Sequence, residues 1–237
     1  MDNILDRILT IIVGSFTTVT QNVVKNVGAL EDFFYVKVWG LSFIVLGSRQ
    51  TGKTTLIEWL KRNMDSDSIN DFAPDPTAAG GDAVTDFAAQ LDNDKYLKLK
   101  ASRDVGGEYA MWETDWIDLF REAQPRGIIF LVDHTNIVQH KDALNFVLQM
   151  IDEEPTSAKN LKAFFVLVNK SDLWRGETNL DDILDNYRNE RKRLRTQAER
   201  LGYKWSFGEG SLMSGDGVGQ FMRKFFNTLR PKPKSQP

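Results

Sequence analysis

The stretch Gly47-Ser48-Arg49-Gln50-Thr51-Gly52-Lys53-Thr54 carries glycine, glycine-lysine and threonine at the spacing G-x-x-x-x-G-K-S/T. An apolar run, Leu41 to Leu46, precedes it, and a helix-like run begins at Lys53. A buried strand, a glycine loop and a helix in that order turn the loop amides and the helix N-terminus toward one point, where a phosphate belongs. From there Lys53 reaches the outer phosphates as a point charge. The Thr54 hydroxyl is a hard oxygen ligand of the kind Mg²⁺ shares with substrate phosphates.

At 237 residues the chain is long enough for one domain with a full core plus an appendage. A net charge of -3 argues against a nucleic-acid surface. The absence of cysteine excludes disulfides, thiolate catalysis and cysteine lipidation. Only two histidines are present, His134 and His140, with no cysteine partners, so zinc has no support, and both are expected as solvated or partly packed loop residues.

Residues 1–30 differ from the rest. No charge lies between Arg7 and Lys25, and Leu5, Leu9, Ile12, Phe16, Val19 and Val23 recur at spacings of four and three, the seam of an amphipathic helix. Its polar content is high for a membrane span. Three readings stand: packing on the domain or in a self-associated bundle, an in-plane membrane helix, or an anchor. An export signal fits poorly, and Asp2 stands where N-myristoylation needs glycine. The expected location is cytoplasmic, or peripheral at a membrane surface.

Beyond the linker the chain alternates between strand and helix patterns. Tyr35 to Leu46 reads as one or two strands broken near Gly40, and Leu56, Ile57, Leu60 and Met64 form a helical core stripe. Residues 65–81, acidic and carrying Pro74, Pro76, Gly80 and Gly81, read as a loop beside the phosphate site. Asp82 to Leu91 and Lys95 to Ala101 read as a hairpin with Leu97, Leu99 and Ala101 alternating inward. That hairpin delivers Asp104-Val105-Gly106-Gly107-Glu108. An acidic residue at a strand end can hold Mg²⁺ through water, and a glycine just after it lets a backbone N–H approach a terminal phosphate.

A helix then carries Trp112, Trp116, Leu119 and Phe120 on one side, as core or as a partner face. Gly127 to Val132 and Leu161 to Val168 are apolar strands, with a helix over Asp142 to Ile151 between them. The second strand ends in Asn169-Lys170-Ser171-Asp172. Ligands in open α/β sheets sit at the carboxyl ends of strands, which places this tetrad on the rim of the phosphate loop. There the Asp172 carboxylate is suited to accept from guanine N1 and N2, a donor pair adenine lacks. A long, mostly solvated helix over Leu180 to Leu201, a strand over Tyr203 to Phe207, a loop at Ser211 to Asp216 and a helix over Val218 to Leu229 complete the domain. The pattern specifies a doubly wound, mostly parallel six-stranded sheet with helices on both faces. The division expected is an N-terminal helix and linker at 1–34, the domain at 35–230, and a frayed tail at 231–237.

GSRQTGKT, Pro76-Thr77, DVGGE, NKSD and SLMSGDGV, in that order, resemble the motifs of a Ras-superfamily small GTPase. The resemblance is nearest to the Arf and Arl branch and to the related beta subunit of the signal-recognition-particle receptor, through Asp104 to Gly107, Pro76-Thr77, Val132-Asp133 and Ser214 to Gly217. It spans roughly Leu41 to Leu229 and implies GTP or GDP and Mg²⁺ as ligands. Gly47 to Thr54 with Thr55 would cradle the phosphates, Asn169, Lys170 and Asp172 would hold guanine, and Ser211 and Leu212 match the last base-contacting loop. Thr54, Thr77 and Asp104 would serve the metal, and Lys53, Thr77, Gly107 and Glu108 would surround the γ-phosphate.

Two residues depart from the family pattern. Glu108 stands where the family has the glutamine that orients attacking water, and a carboxylate near a polyanionic nucleotide is repelled, so intrinsic turnover is expected to be slow. Arg49, in the phosphate loop, either stays solvated or offsets that repulsion. The resemblance implies a GTP-dependent switch. Two alternatives stand beside it: a GTP-holding receptor or adaptor subunit that scarcely hydrolyses, and an ATPase using the same loop. Protein effectors and regulators are not specified by the sequence.

Overall fold

Every position of Gly127–Val132 and Ala163–Val168 is buried, which a strand achieves only when both faces of its sheet are covered. The computed structural model describes residues 41–64, 87–91, 95–101 and 106–230. Within them lie the strands β1 (Leu41–Gly47), β2 (Phe87–Leu91), β3 (Lys95–Ala101), β4 (Gly127–Val132), β5 (Ala163–Val168) and β6 (Lys204–Glu209). They form one six-stranded sheet in the order β2-β3-β1-β4-β5-β6. Only β2 and β3 pair antiparallel; the other neighbours are parallel.

The helices are α1 (Lys53–Met64), the short turn α2 (Tyr109–Met111), α3 (Ile117–Ala123), α4 (Ile137–Glu153), α5 (Pro155–Ala158), α6 (Ser171–Trp174), α7 (Leu180–Asp185), α8 (Arg188–Leu201) and α9 (Val218–Leu229). A π-helical turn, Trp112–Trp116, joins α2 to α3. Alternate strand residues feed two cores. Ile44, Leu46, Ile128, Phe130, Phe164 and Val166 pack with Trp112, Trp116, Leu144 and Leu194 on one face. Phe43, Val45, Ile129, Leu131, Phe165 and Leu167 pack with Leu56, Leu60, Phe225 and Phe226 on the other. The doubly wound fold expected from the alternation is therefore present.

Some boundaries differ from the sequence expectation. The single helix expected over 180–201 is two, because Asn186 donates to the carbonyls of Asp182 and Ile183 and closes α7. Tyr187 then turns inward, fully buried, before α8 begins. α4 starts at Ile137, five residues before the expected Asp142, and β6 runs two residues past Phe207. The expectations for residues 1–40, for the loop at 65–81, for Thr77 and Asp104, and for the tail lie outside the described residues, as do those for the side chains of Met64, Leu97, Leu99 and Ala101. No helix among the described residues is long and apolar enough to cross a membrane.

Candidate nucleotide site

Parallel pairing fixes which loops meet. Gly47 is in register with Leu131, Val132 with Val168, and Val168 with Glu209, so the segments after β1, β4, β5 and β6 leave the sheet at one rim. Backbone bonds tie them further: Asn169 N–H donates to Val132 O at 2.8 Å, and Ser171 N–H to Gly210 O at 3.2 Å. The rim is where an open α/β sheet binds its ligand.

The phosphate loop turns through Gln50 (φ 63°) and Gly52 (φ 99°), and Gly52 O accepts the first helical bond of α1 from Leu56 N–H at 2.8 Å. A side chain at Gly52 would combine that left-handed backbone with a β-carbon 2.5 Å from Asn169 Nδ2, so glycine is required there. Lys53 is buried, its ammonium donating to Ser48 O at 3.0 Å. Thr51 Oγ1 donates to the same carbonyl at 2.9 Å, closing the loop on itself. Thr54 and Thr55, in the first turn of α1, are half-buried, and Arg49 and Gln50 are exposed.

The tetrad meets this loop directly. Asn169 Nδ2 donates to Thr51 O at 2.9 Å, while its Oδ1 accepts from Leu212 N–H at 3.1 Å. One side chain thus joins the loops after β1, β5 and β6. Trp174 Nε1 donates to Asn169 O at 2.9 Å, which holds the tetrad backbone from its far side. Arg175 pairs with both Glu209 and Asp216, linking the tetrad helix to the last loop. Ser211 and Leu212 are buried beneath the rim, and Asp172 is exposed on it.

Gly107 lies against the head of the phosphate loop. A β-carbon there would come within 2.4 Å of Ser48 C, 2.5 Å of Lys53 Nζ and 2.6 Å of Arg49 N, so only glycine permits this approach. Two indoles hold the segment: Trp116 Nε1 donates to Gly106 O at 2.9 Å and Trp112 Nε1 to Gly107 O at 3.3 Å. Their rings stack at 5.3 Å. Trp112 and Trp116, four positions apart on the π-helical turn, lie side by side beneath the two glycines. Glu108 follows, exposed, with its carboxylate 3.6 Å from the Arg49 guanidinium.

His140 corrects the sequence expectation. It sits on α4, is 1% exposed, and its Nδ1 meets the hydroxyl of fully buried Ser48. Its Nε2 lies 3.0 Å from Asp133 Oδ1, and Asp133 Oδ2 accepts from Lys170 Nζ at 2.6 Å. Burial by itself would raise the Asp133 carboxyl, but the bonds from His140, Lys170 and Thr135 outweigh it and hold it well below the usual carboxylate range. Serine, histidine and carboxylate in a row suggest a nucleophilic triad, yet a Ser48 with no exposed surface has no access to a substrate. Sequence reasoning noticed Asp133 only as a family mark. The signal available was a carboxylate placed directly after a wholly apolar strand.

No family model matches the chain, and no curated protein matches it. Among solved structures, the Arl6 (BBS3) small GTPase from Trypanosoma brucei, determined with the nucleotide analogue GppNp, is 17% identical, with a TM-score of 0.53 over 81% of this chain and 99% of that one. A GTP-binding protein from the hyperthermophilic archaeon Sulfolobus solfataricus, in complex with GDP, is 16% identical, with a TM-score of 0.49 over 80% of this chain. The present chain spans about half, 52%, of that archaeal protein. The fold is that of the small GTPases and is shared with an Arf-like member.

Proposed function

We propose that the chain binds guanine nucleotide with Mg²⁺ and acts as a switch of Arf-like type with slow intrinsic GTP hydrolysis. The observation that carries the reading is the double engagement of Asn169 with Thr51 O and Leu212 N–H, which brings a guanine-type tetrad and a phosphate loop onto one rim. Lys53 and the loop amides bind phosphate oxygens; Lys170 and Asp172 orient the base, Asp172 accepting from N1 and N2. Thr54 supplies a half-buried hydroxyl beside Lys53, a hard oxygen that suits Mg²⁺, and Thr77 and Asp104 would complete the set. The ion, when bound, draws charge from the phosphate oxygens.

Gly107 is the sensor in this reading. Its backbone rests against the phosphate loop beside Lys53, so a γ-phosphate held by Lys53 would act on this segment, and the switch reading assigns the response to residues 65–81 and 104–116. Glu108 accepts no role as a water-orienting amide, and its pairing with Arg49 is too exposed, 52% and 64%, to be strong. A carboxylate in place of that amide favours the second reading, a GTP-holding subunit that scarcely hydrolyses.

The nucleotide that co-purifies with the chain, identified by chromatography after denaturation, is expected to be GDP or GTP; an adenine nucleotide would refute the assignment. Glu108→Gln is expected to raise phosphate release from GTP well above the native rate, because the amide can donate to and accept from water. A native rate above that of the variant would exclude the non-hydrolysing reading.

A further inference from the structure

Four hydrogen bonds run without a gap from the phosphate loop to the base tetrad. Lys53 Nζ donates to Ser48 O, and the Ser48 hydroxyl meets His140 Nδ1. His140 Nε2 meets Asp133 Oδ1, and Lys170 Nζ donates to Asp133 Oδ2. Because Asp133 is an ionised acceptor, His140 must present an N–H from Nε2; in the neutral ring Nδ1 is then the acceptor for the Ser48 hydroxyl. Thr135 adds N–H and Oγ1 donors to Asp133 Oδ1, at 2.8 and 2.6 Å, and so fixes the carboxylate plane.

Packing alone does not call for this chain. A carboxylate and an imidazole enclosed between β4, α4 and the phosphate loop carry a desolvation cost that apolar side chains of the same volume would avoid. What the polar chain adds is direction, since each bond fixes one atom pair rather than a contact area. Its far end is the place where direction matters. Lys170 has a left-handed backbone (φ 60°), an unfavourable conformation for a residue with a β-carbon, and it stands between Asn169 and the turn that presents Asp172. The 2.6 Å bond to Asp133 holds it there.

We propose that Ser48, His140 and Asp133 are positioning residues that keep the guanine tetrad in register with the phosphate loop, so that selection of guanine depends on this buried chain. The inference rests on the guanine-nucleotide reading above. Cutting the chain at His140 or Ser48 removes one of the supports of the Asp133 carboxylate, so that Lys170 is held less firmly and the Asp172 carboxylate drifts from the plane of the base. The loss then falls on the N1 and N2 contacts more than on the phosphates.

The test compares GDP with inosine diphosphate, which lacks the N2 amino group, by titration calorimetry on the full chain. The native protein is expected to prefer GDP. In His140→Phe and in Ser48→Ala that preference is expected to fall about fivefold, the equivalent of one hydrogen bond. His140→Gln, whose amide N–H can reach Asp133, is expected to recover part of it. A folded His140→Phe or Ser48→Ala protein with the native GDP preference overturns the proposal, as does equal weakening toward both nucleotides, the mark of a purely structural role. If His140→Phe fails to fold, Ser48→Ala, which removes one hydroxyl, decides the matter. A native chain that binds neither nucleotide refutes the guanine-nucleotide reading itself, a different outcome from native binding with unchanged selectivity in the variants.

Discussion

Asp133 is 2% exposed and still ionised, because four hydrogen bonds from Thr135, His140 and Lys170 replace the water it has lost. Its folded pKa is depressed, so it contributes stability above the unfolded value and loses that contribution as pH falls. In urea unfolding, the stability gap between the native protein and Asp133→Asn is therefore expected to be widest near neutrality and to narrow below about pH 4, where the unfolded carboxyl takes up its proton. A gap that widened on acidification would contradict the assignment. Glu108 stands in contrast: exposed and, among the described residues, paired with exposed Arg49, it offers the fold little. The sequence displayed both residues openly. It did not display that Asp133 lies within reach of Ser48 through His140, since 92 residues separate Ser48 from His140 and no periodicity links them.

Among elements, the π-helical turn Trp112–Trp116 has the clearest consequence. Residues four apart share one face of a helix, so the two indoles lie together and face Gly106 and Gly107. Both N–H groups reach the glycine carbonyls, and Phe146 closes over the ring pair at 5.8 and 6.2 Å. Trp116→Phe keeps most of the ring and removes the donor to the buried Gly106 carbonyl, which is expected to cost about 1–3 kcal/mol in chemical denaturation. The same substitution is expected to loosen Gly106 and Gly107, seen as faster amide exchange across that segment. Unchanged exchange would mean that the indoles serve packing only. The apolar spacing identified these tryptophans as core, and they are core. Their second role, as donors to the segment behind the phosphate loop, depends on where Gly106 and Gly107 come to lie, which spacing cannot reveal. The break between α7 and α8 was hidden for a similar reason, because Tyr187 leaves the helical path to fill the core.

At the scale of the whole molecule, ligand binding and folding are linked, because the rim is assembled from loops after β1, β4, β5 and β6 and exists only in the folded chain. GDP at a hundredfold excess over its dissociation constant is expected to add about 2.7 kcal/mol to the unfolding free energy. The melting temperature should rise accordingly with GDP and Mg²⁺, and ADP at the same concentration should leave it unmoved. An equal rise with ADP would remove the guanine assignment. The order of strands and helices was legible in the sequence: continuous apolar runs at Gly127–Val132 and Leu161 to Val168 read as central strands, and the structure has strands at Gly127–Val132 and Ala163–Val168. So was the turn from Gly47 into the helix at Lys53, because its backbone depends on glycines at fixed short spacing. By itself, then, the sequence determined the local elements and the residue types offered to a nucleotide, since these depend on neighbours a few positions apart. Only the tertiary structure decided that Ser48, His140, Asp133 and Lys170 form one connected chain, because hydrogen bonds between distant segments are fixed by strand register and helix packing, and neither is written in any one stretch of the chain.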